Sequence, residues 1–379
     1  MNRDGALMDG PPQSLRMRYL AWRNRVLGST GFRRFAARNP LLRSVARRRA
    51  SAVFDLVAGF VYSQVLFAIV ESGLLARLVQ GPACLADAMM VTKLREDAAL
   101  RLLRAAAAIE IVEEGESGWW VLGRQGAALQ GNEGAVAMIR HHRLLYADLA
   151  DPLALLRDKS RSETRLAQFW KYAASESESE EFRAAASEYS QLMSQSQAAV
   201  AEEVLSAFSF SRAGSLLDVG GGNGAFLRNV AAAHPHLRLG LFDLRNVIAL
   251  AKDAFSGPAK PRFHEGSFFS DSIPSGYDLV SLVRVLHDHD DAPARRLLEN
   301  IHRSMEPGSR LILAEPMAGT SGAQGMGDAY FGMYLWAMGS GRPRSVDENC
   351  AMLKHAGFAS AREIATGQPV VTSLVVATA

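Results

Sequence analysis

The sequence predicts an α/β fold: a doubly wound, Rossmann-like sheet in the C-terminal half, finished by an antiparallel edge strand and preceded by a helical half. Three observations carry this. From Gly214 onward, apolar runs at 215–219, 238–242, 278–286 and 310–314 alternate with helical patterns near 225–233, 246–254 and 293–305. Such alternation implies a parallel sheet. The first run ends in Asp218-Val219-Gly220-Gly221-Gly222-Asn223-Gly224, a glycine loop at a strand-to-helix turn, where open α/β sheets bind nucleotide-like ligands. The last run, 370–377, follows a Gly-containing stretch with no room for a helical crossover, so it is expected to pair antiparallel at an edge.

The chain opens on a basic segment. Residues 1–50 hold twelve arginines against Asp4 and Asp9, a balance of +10, which leaves the other 329 residues at −7 of the overall +3. Tyr19, Trp22, Phe32 and Phe35 are interleaved with these arginines. Arginines at lipid headgroups with aromatics at the interface describe a peripheral foot on an anionic membrane. A solvated arm, or one packed on a partner subunit, remains open. The most apolar stretch, 54–70, is interrupted by Asp55, Ser63 and Gln64, which argues against a transmembrane helix. The N-terminus lacks the apolar core of a secretory signal. Two cysteines, Cys84 and Cys350, make no disulfide framework and fit a reducing cytoplasm.

Three regions follow from these shifts: a basic arm at 1–50, a helical region at 51–212, and a cofactor-binding catalytic domain at 213–379. The second opens with an apolar helix pair over 51–80. Then come a helical run over 98–109 and two short strands, Ile111-Val112-Glu113-Glu114 and Trp119-Trp120-Val121-Leu122. Helix, turn, helix and hairpin make a winged-helix pattern. Its second helix carries Arg95, Arg101 and Arg104 but is otherwise alanine and leucine, a surface for burial and not for a DNA groove. The reading is a dimerisation and substrate-lining domain of a homodimer, with no nucleic-acid partner. Residues 135–212 read as linking helices, with an acidic turn at 175–181.

The glycine loop admits two cofactors. Gly220-x-Gly222-x-x-Ala225 satisfies a dinucleotide fingerprint. The same loop is preceded by Asp218, an anion that suits a ligand with an ammonium and a sulfonium better than a pyrophosphate. That ligand is S-adenosylmethionine. Asp243 ends the next strand run and is placed to accept hydrogen bonds from ribose hydroxyls under either reading.

Further polar residues recur after the later strand runs: Ser267, His287 and Glu315. In a parallel sheet these share one crevice. Methyl transfer to an oxygen needs the acceptor held in line and its proton removed. His287 is the expected general base, and Glu315 the acid that fixes its tautomer. His287-Asp288-His289-Asp290-Asp291 also resembles a metal cluster, but neighbouring side chains diverge and Asp291-Ala292-Pro293 reads as a helix start. No metal is expected. Arg284, on an otherwise apolar strand, needs a partner, which is either the cofactor or a structural acid. Residues 326–338, rich in methionine and aromatics, read as a helix that packs in the core or lines an adaptable apolar pocket.

Together with the winged-helix pattern, Asp218-Val219-Gly220-Gly221-Gly222-Asn223-Gly224, Phe242-Asp243-Leu244, Gly266-Ser267-Phe268-Phe269, Arg284-Val285-Leu286-His287-Asp288 and Ala314-Glu315-Pro316 resemble the dimeric small-molecule O-methyltransferases, including plant phenolic and hydroxyindole enzymes. The resemblance covers nearly the whole chain after residue 50. It implies Gly220 at the methionine end of the cofactor, Asp243 on the ribose, Ser267 and Phe268 at the adenine, and His287 as base beside Glu315. Two positions depart from the family pattern: Ser267 stands where an acid is usual, and Pro343 where a second flanking glutamate is expected. Trp22-Arg23-Asn24-Arg25, Ala36-Ala37-Arg38-Asn39-Pro40, the run 54–60 and Tyr146-Ala147-Asp148-Leu149 are similar to one branch, the carotenoid O-methyltransferases of phototrophic bacteria. Those enzymes methylate the tertiary 1-hydroxyl of demethylspheroidene and hydroxyneurosporene. The resemblance implies a lipophilic hydroxycarotenoid acceptor and a cytoplasmic enzyme at the inner, photosynthetic membrane. The same chemistry on a phenol, polyketide or quinone stays open, as does a winged-helix regulator with a cofactor-sensing domain.

Overall fold

The basic N-terminal segment folds as helices in the computed structural model, which describes residues 14–158, 163–174, 180–255 and 260–379. Ser14 and Ser29 accept hydrogen bonds from the Met17 and Phe32 N–H groups, starting α1 (Leu15–Gly28) and α2 (Thr30–Arg38). Short polar caps satisfy N–H groups that a helix start leaves open. α3 (Arg43–Glu71) then runs through residue 50 without a break. The end of the arm and the apolar segment are therefore one element, and a short α4 (Leu74–Val79) follows Gly73.

α3 has the length and composition of a membrane-crossing helix, which does not by itself show that it crosses one. It is 29 residues long, its best 18-residue stretch has a mean hydropathy of 2.0, and 11% of that stretch is buried. Asp55 is the sole charge between Arg49 and Glu71. Ser63 and Gln64 carry none, so the apolar run survives them. By length and composition α3 is able to cross a bilayer. Its N-terminal part is bare, from 62% exposed at Val53 and Phe54 to 85% at Leu56.

β1 (Ala83–Cys84), α5 (Leu85–Thr92), α6 (Glu96–Ala108), β2 (Val112–Glu114), β3 (Trp119–Leu122) and α7 (Arg124–Ala128) follow. β3 lies between β1 and β2, antiparallel to both. Trp120, Leu103 and Ile111 pack here against Ile69 and Leu74. α6 turns Ala99, Leu103 and Ala106 inward, which leaves Arg101 and Arg104 in solvent. α8 (Glu133–Asp148), α9 (Pro152–Arg157), α10 (Arg165–Ala174) and α11 (Glu180–Ala207) lead to the sheet. Of the acidic turn expected at 175–181, residues 175–179 lie outside the described residues, and Glu180 already begins α11.

The second half alternates as expected: β4 (Ser215–Val219), α12 (Ala225–Ala233), β5 (Arg238–Asp243), α13 (Arg245–Ala254), β6 (Arg262–Glu265), β7 (Leu279–Val283), α14 (Asp291–Ser304) and β8 (Arg310–Glu315). α15 (Gly332–Met338), α16 (Val346–His355), β9 (Ser360–Ile364) and β10 (Ser373–Thr378) complete it. Strand order is β6-β5-β4-β7-β8-β10-β9. The first five run parallel, and β10 is antiparallel to both neighbours. Phe226, Leu227, Val230 and Ile248 fill one core cluster. Leu297, Leu298, Ile301 and Leu353 fill a second.

Three details differ from the sequence reading. The last strand is antiparallel but not at the edge, because β9 pairs outside it. β7 stops at Val283 instead of 286. The aromatic segment begins with a π-helical turn, Gly325–Phe331, before α15. A π-turn inserts one residue per turn and is found mostly at functional sites.

Candidate active site

The glycine loop joins β4 to α12 with Gly220, Gly222 and Gly224 all in the left-handed region, at φ +69°, +60° and +76°. Only glycine takes three such positions without strain. A Cβ on Gly222 would meet nothing within 4 Å, so the backbone there faces open space. Gly220 lies close against Val285 and Phe268. Asp218 folds back beneath Gly221. Its Oδ1 accepts a 2.6 Å hydrogen bond from Ser281. Its buried Oδ2 has no hydrogen-bond partner among the described residues. Burial, with a small push from Asp243, raises the Asp218 carboxyl to about 7. Asp243 is raised by burial to about 6, although the Gly222 and Leu244 N–H groups donate to it at 2.8 and 2.7 Å.

Among the described residues, no lysine or arginine pairs with these two desolvated carboxylates beside the open backbone cradle. A pyrophosphate would add charge of the wrong sign, whereas the ammonium and sulfonium of S-adenosylmethionine supply what is missing. The residues present fit the methyl donor.

At the β6 end, Ser267 brings no acid, but Asp271 accepts from the Ser267 N–H at 2.8 Å and supplies a carboxylate four residues on. Phe268, Phe269 and His289 form a ring cluster, with Phe268 and His289 centroids 5.6 Å apart.

His287 sits past the end of β7, in a one-turn 3-10 helix, Leu286–Asp288. It is 4% exposed. Glu315, at the end of β8, is 1% exposed and accepts the His287 backbone N–H at 3.0 Å. Its Oε1 lies 3.6 Å from Nδ1. The partner in hydrogen-bond range of the ring is Asp288, 3.1 Å from Nε2. The expectation that neighbouring side chains here diverge fails, because the tight 3-10 turn folds Asp288 back over the imidazole. Burial pushes the imidazole toward neutrality, but Asp288 and Glu315 outweigh it and raise it to about 9. Phe331 packs on the ring at 5.9 Å. The site expected near the second glutamate holds no acid at Pro343, and its neighbours Gly341, Arg342 and Arg344 contact the His287 turn instead.

Arg284 follows β7 at φ +56°, a costly conformation for a residue with a Cβ. Its guanidinium donates to Ser196 on α11 at 2.7 Å, which ties the sheet to the helices above. Arg284 and Ser196 line a cavity of about 1230 Å³ with His142, Met326, Tyr330 and Phe331. His142 Nε2 lies 2.7 Å from the Tyr330 hydroxyl, and burial lowers the His142 ring to about 4, keeping it neutral.

Ser281, Asp271 and His142 were not singled out from the sequence, whereas Asp288 and Tyr330 entered only as members of the 287–291 cluster and the aromatic segment 326–338. Ser281 had a signal: it is the one polar residue inside β7. Contacts such as His142 with Tyr330 join positions 188 residues apart and leave no local pattern.

A glycine cradle short of positive charge and a buried histidine between two carboxylates, on this sheet, define an S-adenosylmethionine-dependent methyltransferase. Residues 146–359 match the family model of the O-methyltransferase domain. The chain is 44% identical to demethylspheroidene O-methyltransferase of Rhodobacter capsulatus, over 89% of this chain and 84% of that protein. It is 38% identical to the enzyme of the same name from Cereibacter sphaeroides, over 93% of each. Human N-acetylserotonin methyltransferase, solved in complex with SAM, shares the fold with a TM-score of 0.74 at 23% identity, over 87% of this chain and 97% of that one. The chain belongs to the O-methyltransferase family.

Proposed function

We propose that this enzyme methylates the tertiary 1-hydroxyl of an acyclic carotenoid of the demethylspheroidene or hydroxyneurosporene type, with His287 as general base. The observation that carries the acceptor is the reach of the similarity. It spans 89% and 93% of this chain in the two demethylspheroidene enzymes, and so includes helices outside the matched domain at 146–359. The cavity between α8, α11 and the π-turn has a mixed lining, with Met138, Val200, Met326 and Phe331 beside polar groups such as Gln195 and Ser196, and Phe331 bridges that lining to His287.

S-adenosylmethionine supplies a methyl group already activated by its sulfonium. Asp218, Gly220, Gly222 and Asp243 hold its methionine and ribose ends, Ser267 and Phe268 its adenine, and Arg284 borders the site. Phe331 and the cavity walls orient the acceptor and exclude water. His287 takes the hydroxyl proton, and Glu315 with Asp288 stabilises the imidazolium that results. A tertiary alcohol is a weak acid, so this proton transfer carries much of the barrier.

The region after the arm, from α3 through α7, is read as a winged-helix homodimerisation unit, with the bare apolar face of α3 against its copy. α1, α2 and the start of α3 carry eleven arginines and no acid between Ser14 and Phe54. All eleven are exposed, and they are read as a foot on anionic lipid that brings the enzyme to the membrane holding its acceptor. Deleting residues 1–42 is expected to reduce flotation with anionic liposomes and spare cofactor binding. Unchanged flotation refutes the foot.

Incubation of the enzyme with labelled methyl donor and carotenoid extract is expected to yield a methoxycarotenoid. Labelling of soluble phenols but of no hydroxycarotenoid refutes the acceptor assignment.

A further inference from the structure

The turn that carries His287 is held from outside by one segment, Ser340–Arg344. Each of its four carbonyls accepts a hydrogen bond from that segment. Arg344 Nη1 donates to the Leu286 carbonyl at 3.1 Å and Nη2 to the His289 carbonyl at 2.7 Å. The Arg342 N–H donates to the His287 carbonyl at 2.9 Å, and the Ser340 hydroxyl to the Asp288 carbonyl at 2.8 Å. Gly341 lies so close that a Cβ there would collide with the His287 carbonyl, and it adopts φ +82°. The Arg344 side chain is wholly buried. Its charge is met by Asp291, which accepts from Nε at 3.0 Å and Nη2 at 2.8 Å. A guanidinium presents its donors in a fixed planar fork, which lysine cannot copy.

We infer that Arg344 is a positioning residue of the methyl transfer: with Gly341 it moulds the 286–289 turn so that His287 stands at the acceptor oxygen between Asp288 and Glu315. The inference rests on His287 as base. It explains how the chain works without a second glutamate at Pro343. The place of that acid is taken by a segment that grips the backbone of the turn, while Asp288 supplies the second carboxylate from the turn itself. The charged groups about the imidazole are Asp288 on its own turn and Glu315 on β8, with Arg344 and Asp291 behind the turn.

The test compares Arg344→Lys and Arg344→Met with the unaltered enzyme in four measurements: kcat, calorimetric affinity for S-adenosylmethionine, Tm, and the pH–rate profile. Displacing a reacting group by an ångström costs about 10²-fold, so kcat is expected to fall by about that factor in both variants. Cofactor affinity should fall far less than kcat, because the glycine loop is held chiefly from β5 and meets this turn only at its rim, through Val285 and the His289 ring on Phe268. The acid limb of kcat should move to lower pH as the imidazole leaves its carboxylates. Retention of kcat within about threefold overturns the inference. So does a loss of kcat that tracks Tm and cofactor affinity with the acid limb unmoved, the mark of a merely structural arginine. Gly341→Ala, which leaves the buried charge intact, is expected to move the limb the same way; an unmoved limb there also counts against the mould. An active His287→Ala enzyme would instead remove the base assignment itself, separately from these outcomes.

Discussion

The two ends of the site are built on opposite electrostatic plans. At the cofactor end, Asp218 lies buried and Asp243 half-buried, and both are pushed upward, to about 7 and about 6. That end lacks positive charge and is completed by a cation. At the base end, His287 lies between Asp288 and Glu315 and is raised to about 9. Its two carboxylates favour the protonated imidazole, which must lose that proton before it accepts one from the acceptor. The difference teaches that one sheet edge gives opposite proton balances from the same residue types, according to which neighbour is buried with which. Binding the donor should expel protons from the cofactor end, and turnover should favour pH values at which the base end has lost its own.

The largest break in the comparison is His287→Ala. Removal of a positioned general base costs about 10²–10⁴-fold, and for a tertiary alcohol the upper end is expected. Cofactor affinity measured by calorimetry should hardly change, because no glycine-loop contact involves His287. Equal loss of turnover and of cofactor binding would show that the two ends are not independent.

Asp218→Asn is next and separates stability from binding. A hydrogen bond to a charged group contributes about 1.5–3 kcal/mol, so cofactor affinity should weaken by roughly 10–100-fold. The folded-state pKa of Asp218 is raised, so its protonated form contributes stability below the unfolded value of 3.8, and this is lost as pH rises through about 7. Asparagine does not ionise. The empty variant should therefore melt higher than the parent at pH 8 and gain less at pH 5. A variant that melts lower at pH 8 would mean that Asp218 has a stabilising partner in the empty enzyme.

Much of this was legible in the sequence, for physical reasons that also set the limits. β4, β5, β7 and β8 are buried on both faces and read as continuous apolar runs. Three glycines that need positive φ announced the cofactor turn. β6, Arg262-Phe263-His264-Glu265, and β9, Ser360-Ala361-Arg362-Glu363-Ile364, are edge strands. Polar residues protect such edges from pairing with other chains, and the same residues hide the strands from a hydrophobicity reading. α3 misled in the opposite direction, since Ser63 and Gln64 look like interruptions in a string but interrupt nothing on a helix. Pro343 stood in plain view as a departure from the family pattern, with Gly341 and Arg344 beside it. Their grip on residues 286–289 joins positions more than fifty apart, and only the fold brings them together.

A smaller effect tests the cofactor end by titration. A cationic ligand favours ionised carboxylates, so affinity for S-adenosylmethionine should rise as pH increases through 6 to 7. The rise is at most about tenfold per pH unit for each proton released. Calorimetry in two buffers of different ionisation enthalpy counts those protons. A flat affinity from pH 5.5 to 8, with no proton release, would mean that both acids are already ionised in the empty enzyme.

The smallest effect, and the one that bears most directly on the contrast, is Asp288→Asn. Asp288 is the leading cause that raises His287, acting through its charge and its contact with Nε2. Asparagine keeps the shape and removes the charge, so Glu315 alone then opposes the cost of burying an imidazolium. The histidine pKa falls, and with it the pH at which half of the base is free. Turnover at pH 6.5, relative to the plateau, should therefore increase in the variant. The plateau itself should fall by only a few-fold, since Glu315 still stabilises the imidazolium formed in the reaction. An acid limb that stays in place would mean that Asp288 has already left the imidazole in the working complex. The base end would then resemble the cofactor end, with a carboxylate held ready for a ligand and not for the histidine.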